Sequence, residues 1–587
     1  MNIDLENSAE YLYIDDDDKL KRYISIVQDS KIMAVDVETT GLDPIKEKIR
    51  LLQIAVPNKP SLIIDIWKIS KDVHSLIRKV LSNSSIKVLQ NAKFDLKFLT
   101  KAGMSIKGQL FDTYIGARLL ESFDRLEKYS LDSLVWHYLK INLSKEQQRS
   151  DWSKELSPLQ LEYAAKDALI LLPLREALIK RLREERLIEV AKIEFDCIYA
   201  VAEMELSGVL FDKEKCEKLN NQLEKIRDKY AEYLKECFSG TAQQISIFGY
   251  KDINEINLDS HKQVLKCLNN LGINVKNTSK DELANLSREY PVVQALMEYR
   301  KAAKLIQTFT VSLIEQINPI TRRIHSNYYQ MGTSTGRFSC GNPNLQQIPR
   351  DKRFRDCFIA SKNCKLVIAD YSQIELRVIA EISRDETMIN AFRNNQDLHR
   401  LTASLLLNKA FDKVTKEERQ SAKAVNFGLV YAMGAKGLQA YSLTNYGVEM
   451  TEKQAETFRN KFFKVYKGVA KWHESVKRRS SKESCTLCGR RVLWKENLGA
   501  AALNTPVQGT AADIVKNALG ILVKELEETE AKIIGTVHDE IILEAPEAKA
   551  EKVADILKST MEKAGEKYVK QVPLMAEVFI GSSWAEK

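Results

Sequence analysis

The sequence has no apolar run long enough to cross a bilayer. A membrane-spanning helix needs about 20 consecutive apolar residues, and the 587-residue chain contains none of even about 18. Its first residues, MNIDLENSAEYLYIDDDDKLKRY, are acidic and lack the basic-then-apolar order of a secretory signal. We therefore expect neither a membrane anchor nor export.

Cysteine is scarce, and its pattern excludes a disulfide scaffold. The nine cysteines are scattered, which is typical of a protein kept in a reducing compartment. The CTLC pair, Cys485 and Cys488, has no second cysteine or histidine pair nearby, so a structural zinc site is not expected. The sequence also lacks internal repeats and long low-complexity linkers, which excludes repeat architectures.

What is present is ordinary for a large globular protein. Hydrophobic residues make up 44% of the chain and charged residues 29%, and the length predicts several domains rather than one core. The net charge of +9 is compatible with a nucleic-acid partner but does not require one.

The amino-terminal third carries carboxylates in a recognisable order. KIMAVDVETTGL predicts a buried strand with Asp36 and Glu38 on the same face. IRLLQIAV and SLIIDIW predict the next strands of a sheet meander. Asp95 follows at a strand-to-helix transition, and Tyr163 and Asp167 are one helical turn apart in LEYAAKDALILLPL.

Several carboxylates that begin on a buried strand are costly unless something cancels their charge. Hard oxygen ligands suit Mg²⁺ or Mn²⁺, and two such ions can flank a phosphodiester. Any one of these residues alone is better explained as a helix cap or a surface residue. The ordered set is more specific, and it indicates a metal-dependent site.

Two further carboxylates end apolar strands in the remaining two thirds. KLVIADYSQIELRVIAEIS predicts a strand that ends at Asp370 and is followed by a helix. KIIGTVHDEIILEAP predicts a hairpin with His538, Asp539 and Glu540 at its turn. A second two-metal site is one interpretation, and simple turn chemistry is the alternative for a turn aspartate.

A third pattern lies in RQSAKAVNFGLVYAM, residues 419–433. Arg419, Lys423, Phe427 and Tyr431 recur every fourth position, which places them on one helix face. A core-facing stripe would be apolar, and a solvated face would include carboxylates. Two cations followed by two aromatics suit a triphosphate and a base or sugar. With the strand-end aspartates, the pattern predicts nucleotidyl transfer, in which metals activate a 3′-hydroxyl and stabilise the leaving pyrophosphate.

The amino-terminal set resembles a known nuclease domain. D-x-E, N-x-x-F-D and Y-x-x-x-D, in that order within residues 1–190, are similar to the DEDD superfamily of proofreading exonucleases in its tyrosine variant. The resemblance implies a ribonuclease H-like fold in which Asp36, Glu38, Asp95 and Asp167 bind two metal ions. Tyr163 would orient the attacking water. All five residues are present, so an active 3′-5′ exonuclease is expected.

The remainder resembles family A DNA polymerases, the class that includes the large, Klenow-type fragment of bacterial DNA polymerase I. The similar segments are TSTGRFSCGNPNLQQIP (333–349), DYSQIELR (370–377), RQSAKAVNFGLVY (419–431) and VHDE (537–540). The resemblance implies a multidomain α/β and α+β protein, with an exonuclease domain (1–190) followed by a right-hand polymerase domain (191–587). Within the latter, we expect a thumb over about 200–320, a palm over about 321–385 and 500–587, and fingers over about 386–499. The chain is too short to include a 5′ nuclease domain as well.

The same resemblance implies roles for the polymerase residues. Asp370 and Asp539 would bind two Mg²⁺ ions, or Mn²⁺, with Glu540 in support. Arg419, Lys423 and His399 would contact the triphosphate, Lys423 as a candidate general acid. Glu375 would be the steric gate against a 2′-hydroxyl. The other implied nucleotide contacts are Gln373, Phe427 and Tyr431.

Contacts with the primer-template are also implied, through phosphates and minor-groove acceptors. The residues are Arg337, Asn344, Gln346, Asn504, Gln508, His538, Lys301 and Lys304. For the two lysines, a solvated helix face is nearly as good an explanation. The chain departs from the family pattern at Ala432, where glycine is usual, and at Ala500, where arginine is usual. Neither change touches a metal ligand.

The sequence thus predicts a DNA polymerase of replication or repair with its own proofreading site. Its partners would be primer-template DNA and dNTPs, without a membrane, and we expect a monomer. The location would be cytoplasmic or in the nucleoid for a bacterial or phage enzyme, with an organelle as the alternative after processing. Two hypotheses compete with this one. The first is a nuclease whose polymerase half only grips DNA, and the second is a non-catalytic DNA-binding protein. Glu375 disfavours a reverse transcriptase or RNA polymerase.

Overall fold

The computed structural model describes residues 10–121, 126–144, 146–148, 150–245, 256–479, 482–494 and 501–587. The chain divides into two compact units. The larger unit comprises the chain up to Gly208, Ser326–Gly341 and Lys362–Ile580, and the smaller comprises Val209–His325, Asn342–Ser361 and Gly581–Lys587. No helix in the described ranges combines the length and the apolar character needed to cross a membrane.

Sixteen strands are assigned within the described residues. They are β1 (Tyr11–Ile14), β2 (Ile32–Thr39), β3 (Ile49–Ala55), β4 (Ser61–Asp65), β5 (Ile86–Leu89), β6 (Leu110–Asp112), β7 (Val209–Leu210), β8 (Arg323–Ile324), β9 (Asn327–Tyr329), β10 (Ser339–Gly341), β11 (Cys364–Tyr371), β12 (Glu483–Cys485), β13 (Arg491–Leu493), β14 (Lys532–Val537), β15 (Glu540–Pro546) and β16 (Ala576–Gly581).

The α-helices assigned in the same ranges number twenty-three. They are α1 (Asp17–Tyr23), α2 (Ser25–Gln28), α3 (His74–Leu81), α4 (Lys93–Lys101), α5 (Thr113–Glu121), α6 (Leu131–Leu139), α7 (Pro158–Glu184), α8 (Ile188–Ser207), α9 (Lys213–Ile245), α10 (His261–Asn270), α11 (Lys280–Leu286), α12 (Pro291–Ile306), α13 (Ser312–Glu315), α14 (Lys352–Arg355), α15 (Ile374–Ser383), α16 (Glu386–Arg393), α17 (Leu398–Leu407), α18 (Lys416–Leu429), α19 (Ala435–Tyr446), α20 (Glu452–Val465), α21 (Lys467–Arg479), α22 (Ala501–Glu525) and α23 (Ala550–Ala564).

A six-stranded sheet organises the amino-terminal part of the larger unit. Its strand order is β1-β4-β3-β2-β5-β6. The strands β2, β3 and β4 are antiparallel neighbours, which confirms the predicted meander, whereas β5 and β6 join in parallel. All residues of β3 and β4 are buried, because α7 packs against both strands. The sheet holds β2, and with it Asp36 and Glu38, at its interior.

Local sequence explains where two of the surrounding helices begin. Asp16 caps α1 by accepting a hydrogen bond from the Lys19 amide at 2.7 Å, and two more aspartates lie in the first turn, where the helix dipole favours negative charge. Ser157 and Gln160 form a capping box at the start of α7, with Pro158 at its first position. That helix carries Tyr163 and Asp167 on adjacent turns.

A second sheet, of order β14-β15-β11-β16, forms the centre of the other half of the larger unit. The predicted hairpin is confirmed as β14 and β15, with one correction. Glu540 is not in the turn, because it pairs with Val537 as the first residue of β15. The helix α23 packs against β11, and the long helix α22 packs against α8 and α23.

Four charged side chains are buried together where α8 meets α22. This ionic cluster consists of Glu194, Arg490, Asp513 and Lys516, each at most 3% exposed at the side chain. Lys516 Nζ lies 2.6 Å from Glu194, Arg490 lies 2.7 Å from Asp513, and Arg490 also pairs with Glu194. Two anions and two cations therefore neutralise one another inside the fold.

The helix α18 carries most of the predicted cation-then-aromatic face. It begins at a capping box formed by Thr415 and Glu418. It ends at Leu429, so the prediction that Tyr431 lies on the same helix is wrong. The chain leaves the helix through Ala432, whose φ of +59° lies in the left-handed region. An alanine there is strained by about 1 kcal/mol relative to glycine, because its Cβ crowds the backbone.

The smaller unit is built around the paired helices α9 and α12. Leu234, Phe238 and Leu296 are fully buried between its helices. Lys301 and Lys304 are exposed on α12. Asn344 caps the short 3₁₀ turn Leu345–Gln347 through its side-chain oxygen.

Candidate active sites

The exonuclease carboxylates come together from three separate elements. Asp36 and Glu38 project from β2, and Asp167 comes from α7; one oxygen of each lies within 4.8 Å of the others. Among the described residues this is the only group of three carboxylate, histidine or cysteine side chains with that spacing. Asp95, in the first turn of α4, lines the same cavity of about 890 Å³. We call these four residues the acid cluster.

Burial and mutual repulsion act on the acid cluster in the same direction. Burial raises the pKa of Asp36 to about 7, and burial with the Asp36 charge raises that of Asp167 to about 8. Burial, then the neighbouring carboxylates, hold the pKa values of Glu38 and Asp95 well above their usual range. A carboxylate set of this kind fits a hard divalent cation, since the cation supplies the missing positive charge.

Tyr163 faces the same carboxylates from α7. Its hydroxyl lies next to Asp167 and stabilises the charged form of that side chain. Burial, then the Asp167 carboxylate, holds the pKa of Tyr163 far above its usual value, so the phenol stays protonated. The ring lies 6.4 Å from that of Trp152, centroid to centroid. Tyr163 therefore holds its hydroxyl at a fixed position in the cavity, with its proton donated to Asp167.

Sequence reasoning missed Asp112, which positions Asp95. This buried carboxylate accepts hydrogen bonds from the backbone amides of Asn91 and Ala92 at 3.1 and 2.9 Å and from that of Tyr114 at 2.8 Å. It thereby fixes the left-handed turn at Asn91 (φ +56°) that precedes α4. The only sign of this role in the sequence is that Asp112 ends a strand directly before α5.

The two aspartates predicted to bind metal in the polymerase lie at neighbouring strand ends of the second sheet, Asp370 on β11 and Asp539 in the turn before β15. Asp370, near the end of β11, stands opposite Glu540 at the start of β15. The amide of Tyr371 donates to the carbonyl of Asp539 at 3.3 Å. His538 precedes it in the turn with a φ of +59°, which tightens the hairpin. The register brings Asp370, Asp539 and Glu540 to one end of the sheet.

The predicted steric-gate residue is held by two partners. Glu375, in the first turn of α15, accepts hydrogen bonds from Arg337 and from the hydroxyl of Tyr431. Burial, then the charge of Glu375, raises the pKa of Tyr431, so its hydroxyl remains a donor. Gln373 stands just before this helix in a left-handed conformation (φ +56°). Glu375, Arg337 and Tyr431 therefore form one hydrogen-bonded group, next to Gln373 in the chain.

The cations of α18 face an acidic partner that the sequence did not reveal. Arg419 Nε donates to Asp397 at 2.6 Å, and Asp397 also caps α17. Arg419, Lys423 and Phe427 are all partly exposed, whereas Ala424, Val425 and Gly428 between them are buried. Arg419, Lys423 and Phe427 therefore share one helix face, as the spacing predicted, and the structure shows that this face is accessible.

His399 is buried next to that face rather than exposed on it. Its ring is 2% exposed and lies 5.7 Å from that of Phe427. The Asn426 amide donates to His399 Nδ1 at 2.9 Å, which leaves Nε2 as the protonated nitrogen. Burial lowers the pKa of His399 to about 4, so the ring is neutral at neutral pH and offers one donor but no charge.

The other predicted DNA contacts are placed as follows. Asn504 and Gln508 lie one turn apart on α22 and are partly exposed, and His538 is exposed. Asn344, Gln346, Lys301 and Lys304 belong to the smaller unit. Ala500 lies outside the described residues.

Two family models match the chain, one in each of its two parts. The family model described as DNA polymerase family A matches residues 216–586, and that of a 3′-5′ exonuclease matches residues 11–183. The chain is 34% identical to DNA polymerase I of Aquifex aeolicus, over 98% of this chain and 100% of the relative. It is 32% identical to DNA polymerase I of Borreliella burgdorferi, over 100% of this chain and 65% of the relative.

A solved structure is similar over nearly the whole chain. The POL domain of Pol1 from M. smegmatis, in complex with DNA primer-template and dNTP, superposes with a TM-score of 0.83. The two are 26% identical, and the match covers 98% of this chain and 99% of that one. The fold class expected from the sequence is thereby confirmed.

Proposed function

The chain belongs to DNA polymerase family A and carries a 3′-5′ exonuclease domain, and on that premise we propose which residues carry out each reaction. The observation that supports the proposal most strongly is the convergence of carboxylates at two places. One is the acid cluster, and the other is the end of the second sheet, where Asp370 and Glu540 are in register.

We propose that Asp370 and Asp539 hold two Mg²⁺ ions, with Mn²⁺ as a substitute. Such ions, when bound, favour ionisation of the primer 3′-hydroxyl and offset charge on the leaving phosphates. Arg419 and Lys423 bind the triphosphate, and Lys423 donates a proton to the leaving pyrophosphate. Since Asp397 binds Arg419 at 2.6 Å, the arriving triphosphate competes with that carboxylate.

The nucleotide itself is selected by the group around Glu375. Its carboxylate, fixed by Arg337 and Tyr431, crowds the position of a 2′-hydroxyl and so favours deoxynucleotides. Phe427 lies beside the sugar and base, and Gln373 and the neutral His399 complete the nucleotide site. Glu540 supports the two metal-binding aspartates.

Eight polar side chains are the proposed contacts with primer-template DNA. Arg337, Asn504, Gln508 and His538 belong to the larger unit, and Asn344, Gln346, Lys301 and Lys304 to the smaller. The M. smegmatis protein, which is in complex with DNA primer-template and dNTP, supports this assignment. We further propose that the protein acts as a monomer.

In the exonuclease domain, the acid cluster holds two divalent cations, and their chemistry is the ionisation of water for attack on a phosphodiester. Tyr163 orients the attacking water through its hydroxyl oxygen, which can accept a hydrogen bond from the water while its own proton is donated to Asp167. The hydroxyl is fixed on α7 beside Asp167, so this acceptor is in place before the strand arrives.

A single assay tests both assignments. A labelled primer on a DNA template is incubated with Mg²⁺, with and without dNTPs; we expect extension in the first case and shortening in the second. Asp539→Asn should abolish extension and leave shortening intact. The reciprocal variant is Asp95→Asn, which should abolish shortening and leave extension intact.

Loss of both activities in either folded variant would contradict the assignment of two separate sites. No extension by the unaltered protein, with shortening intact, would favour the competing hypothesis of a nuclease whose polymerase half only grips DNA. Replacement of Mg²⁺ by Ca²⁺, which binds oxygen ligands at longer distances, should stop both reactions without releasing DNA.

Glu375→Ala should raise ribonucleotide incorporation, and unchanged sugar selectivity would refute the role of Glu375 as the steric gate.

A further inference from the structure

One cation in the exonuclease cavity has no part in the assignments above. Arg118, on α5, lines the cavity that contains the acid cluster. Its guanidinium lies 5.0 Å from the ring centroid of Tyr129 and 5.8 Å from that of Tyr114, and the two rings meet edge-on at 6.1 Å. We call Arg118, Tyr114 and Tyr129 the Arg118 shelf.

The guanidinium is fixed in place from a second side. Arg118 Nη2 donates to the carbonyl of Met331 at 2.9 Å, in the segment between β9 and β10. A carbonyl is neutral, so this hydrogen bond orients the side chain without cancelling its charge. Arginine is suited to this arrangement because its planar group can stack on a ring and still donate at its edges.

The other cation that lines this cavity within the described residues is already engaged. Lys93 Nζ lies 2.8 Å from Glu205, 2.6 Å from the Asn327 side chain and 2.9 Å from the Tyr328 carbonyl. Burial lowers its pKa. Its three donors are therefore used inside the protein, whereas Arg118 has five N–H donors on a planar group that lies against two rings of the cavity wall.

A DNA strand entering this cavity brings one negative charge per nucleotide toward four carboxylates. Proteins that hold single strands combine cations along the backbone with aromatic rings against the bases. The Arg118 shelf offers both elements in one wall of the cavity. The acid cluster takes the scissile phosphodiester, so the wall is left for the nucleotides upstream of it.

We propose that Arg118 binds a phosphate upstream of the scissile bond and that the Tyr129 ring supports the adjoining nucleotide. Arg118 is thus a substrate-positioning residue that raises the affinity of the exonuclease site for a single-stranded 3′ end. The inference rests on the proposed exonuclease function, because it deepens the description of that same site.

The test compares Arg118→Gln with Arg118→Lys in digestion of a single-stranded oligonucleotide with Mg²⁺, over a series of salt concentrations. Glutamine keeps a donor for the Met331 carbonyl but removes the charge. We expect KM to rise about 10- to 100-fold, the effect of losing a charged hydrogen bond, with kcat within about twofold. The slope of log(1/KM) against log[salt] should flatten by about 0.7, the value for one phosphate contact on a single strand.

Matched variants separate charge from ring contacts. Arg118→Lys should keep the salt slope of the unaltered protein, and Tyr129→Leu should raise KM without changing the slope. Lys140→Met is the control, since Lys140 is exposed, lies over the Trp136 ring at 5.9 Å and does not line the cavity.

An unchanged KM and slope in Arg118→Gln would overturn the inference, and so would a fall in kcat alone. Melting temperatures identify any variant that is misfolded. If Arg118→Gln is misfolded, Arg118→Lys and Tyr129→Leu show whether the charge of Arg118 or the Tyr129 ring determines KM. No digestion by the unaltered protein, with Asp95→Asn equally inactive, would instead refute the exonuclease function on which the inference depends.

Discussion

Two groups of four charged side chains lie inside the larger unit, and they differ in how their charge is balanced. The acid cluster contains only carboxylates, all four with raised pKa values. The ionic cluster contains two carboxylates and two cations, in contact at distances of 2.7 Å or less. Burial acts on both groups, so the difference lies in the partners.

The pKa of Glu194 records that difference. Burial alone would raise it, but Lys516 and Arg490 outweigh burial, and the net direction is downward. For Asp513, burial outweighs the same two cations, and its pKa stays raised. Within the described part of the chain, the charges that act most strongly on Glu38 and Asp95 are other carboxylates, which raise their pKa values. A buried group that is neutral overall stabilises one arrangement of the chain. A buried group that is charged overall is suited to a ligand of opposite charge.

Breaking the balance of the ionic cluster should have the largest effect. Lys516→Met leaves Glu194 with one cation instead of two, and removal of one partner from a buried pair destabilises a protein by about 3–5 kcal/mol. Urea unfolding, followed by circular dichroism, measures this loss. If the cluster acts through neutrality, Glu194→Gln combined with Lys516→Met should recover part of it. A double variant less stable than either single variant would contradict that explanation.

Removing a carboxylate from the acid cluster should have the opposite effect on stability. We expect Asp95→Asn to reduce exonuclease activity by at least about 100-fold, the scale of losing one electrostatic contact at a reacting centre. The melting temperature in EDTA should stay equal or rise, because one repulsive charge is gone. Asp72→Asn, at an exposed position, is the matched control. A marked drop in melting temperature would place Asp95 among the structural charges instead.

The dependence of stability on pH should separate the two clusters further. A carboxylate whose pKa is raised in the folded state binds more protons there than in the unfolded chain, so its contribution favours folding at low pH. This contribution is present below about pH 4, the unfolded pKa, and is lost as pH rises through about 7 to 8, the folded values of Asp36 and Asp167.

In EDTA, the acid cluster should therefore lower the melting temperature at pH 8.5 relative to pH 5.5. Asp167→Asn should reduce the difference between the melting temperatures at pH 5.5 and pH 8.5 by a few degrees, at about 2–4 °C per kcal/mol. Asp72→Asn should leave this difference unchanged. Mg²⁺ added at pH 8.5 should raise the melting temperature of the unaltered protein more than that of Asp167→Asn. An equal difference in melting temperature in Asp167→Asn and in the unaltered protein would contradict the raised pKa of Asp167.

Local sequence patterns predicted many residues of the acid cluster, but not the buried charges that only tertiary packing brings together. Asp36, Glu38, Tyr163 and Asp167 were predictable because strand and helix periods fix which side chains share a face. Glu194 and Arg490 were not, because they are 296 residues apart in the chain and only tertiary packing brings them together.

The end of α18 shows a different limit. Counting every fourth residue placed Tyr431 on the helix, yet the backbone leaves it at Leu429 and turns through Ala432. Helix propensity and spacing do not reveal where tertiary contacts impose a left-handed residue, here at an alanine rather than the glycine that such a turn favours. Similarly, Asp397 gave no local sign that it pairs with Arg419.

The smallest expected effect concerns a neutral partner of the ionic cluster. Thr486 Oγ1 donates to Asp513 at 2.8 Å and accepts from the Arg490 amide at 3.0 Å. Thr486→Val removes both contacts and should destabilise the protein by about 1 kcal/mol, the net value of a typical hydrogen bond. Thr486→Ser keeps the hydroxyl and should lie closer to the unaltered protein in urea unfolding.

Tyr163→Phe makes the corresponding change in the acid cluster, where it removes the hydroxyl beside Asp167. Because that hydroxyl only partly offsets the repulsion among carboxylates, its loss should slow the exonuclease more than it changes stability. Comparison of Thr486→Val with Tyr163→Phe tests whether a hydroxyl beside buried charge contributes to folding stability or to the rate of the exonuclease reaction. Equal stability losses in Thr486→Val and Tyr163→Phe would show that the two clusters depend on their neutral partners alike, and that balance of charge is not what separates them.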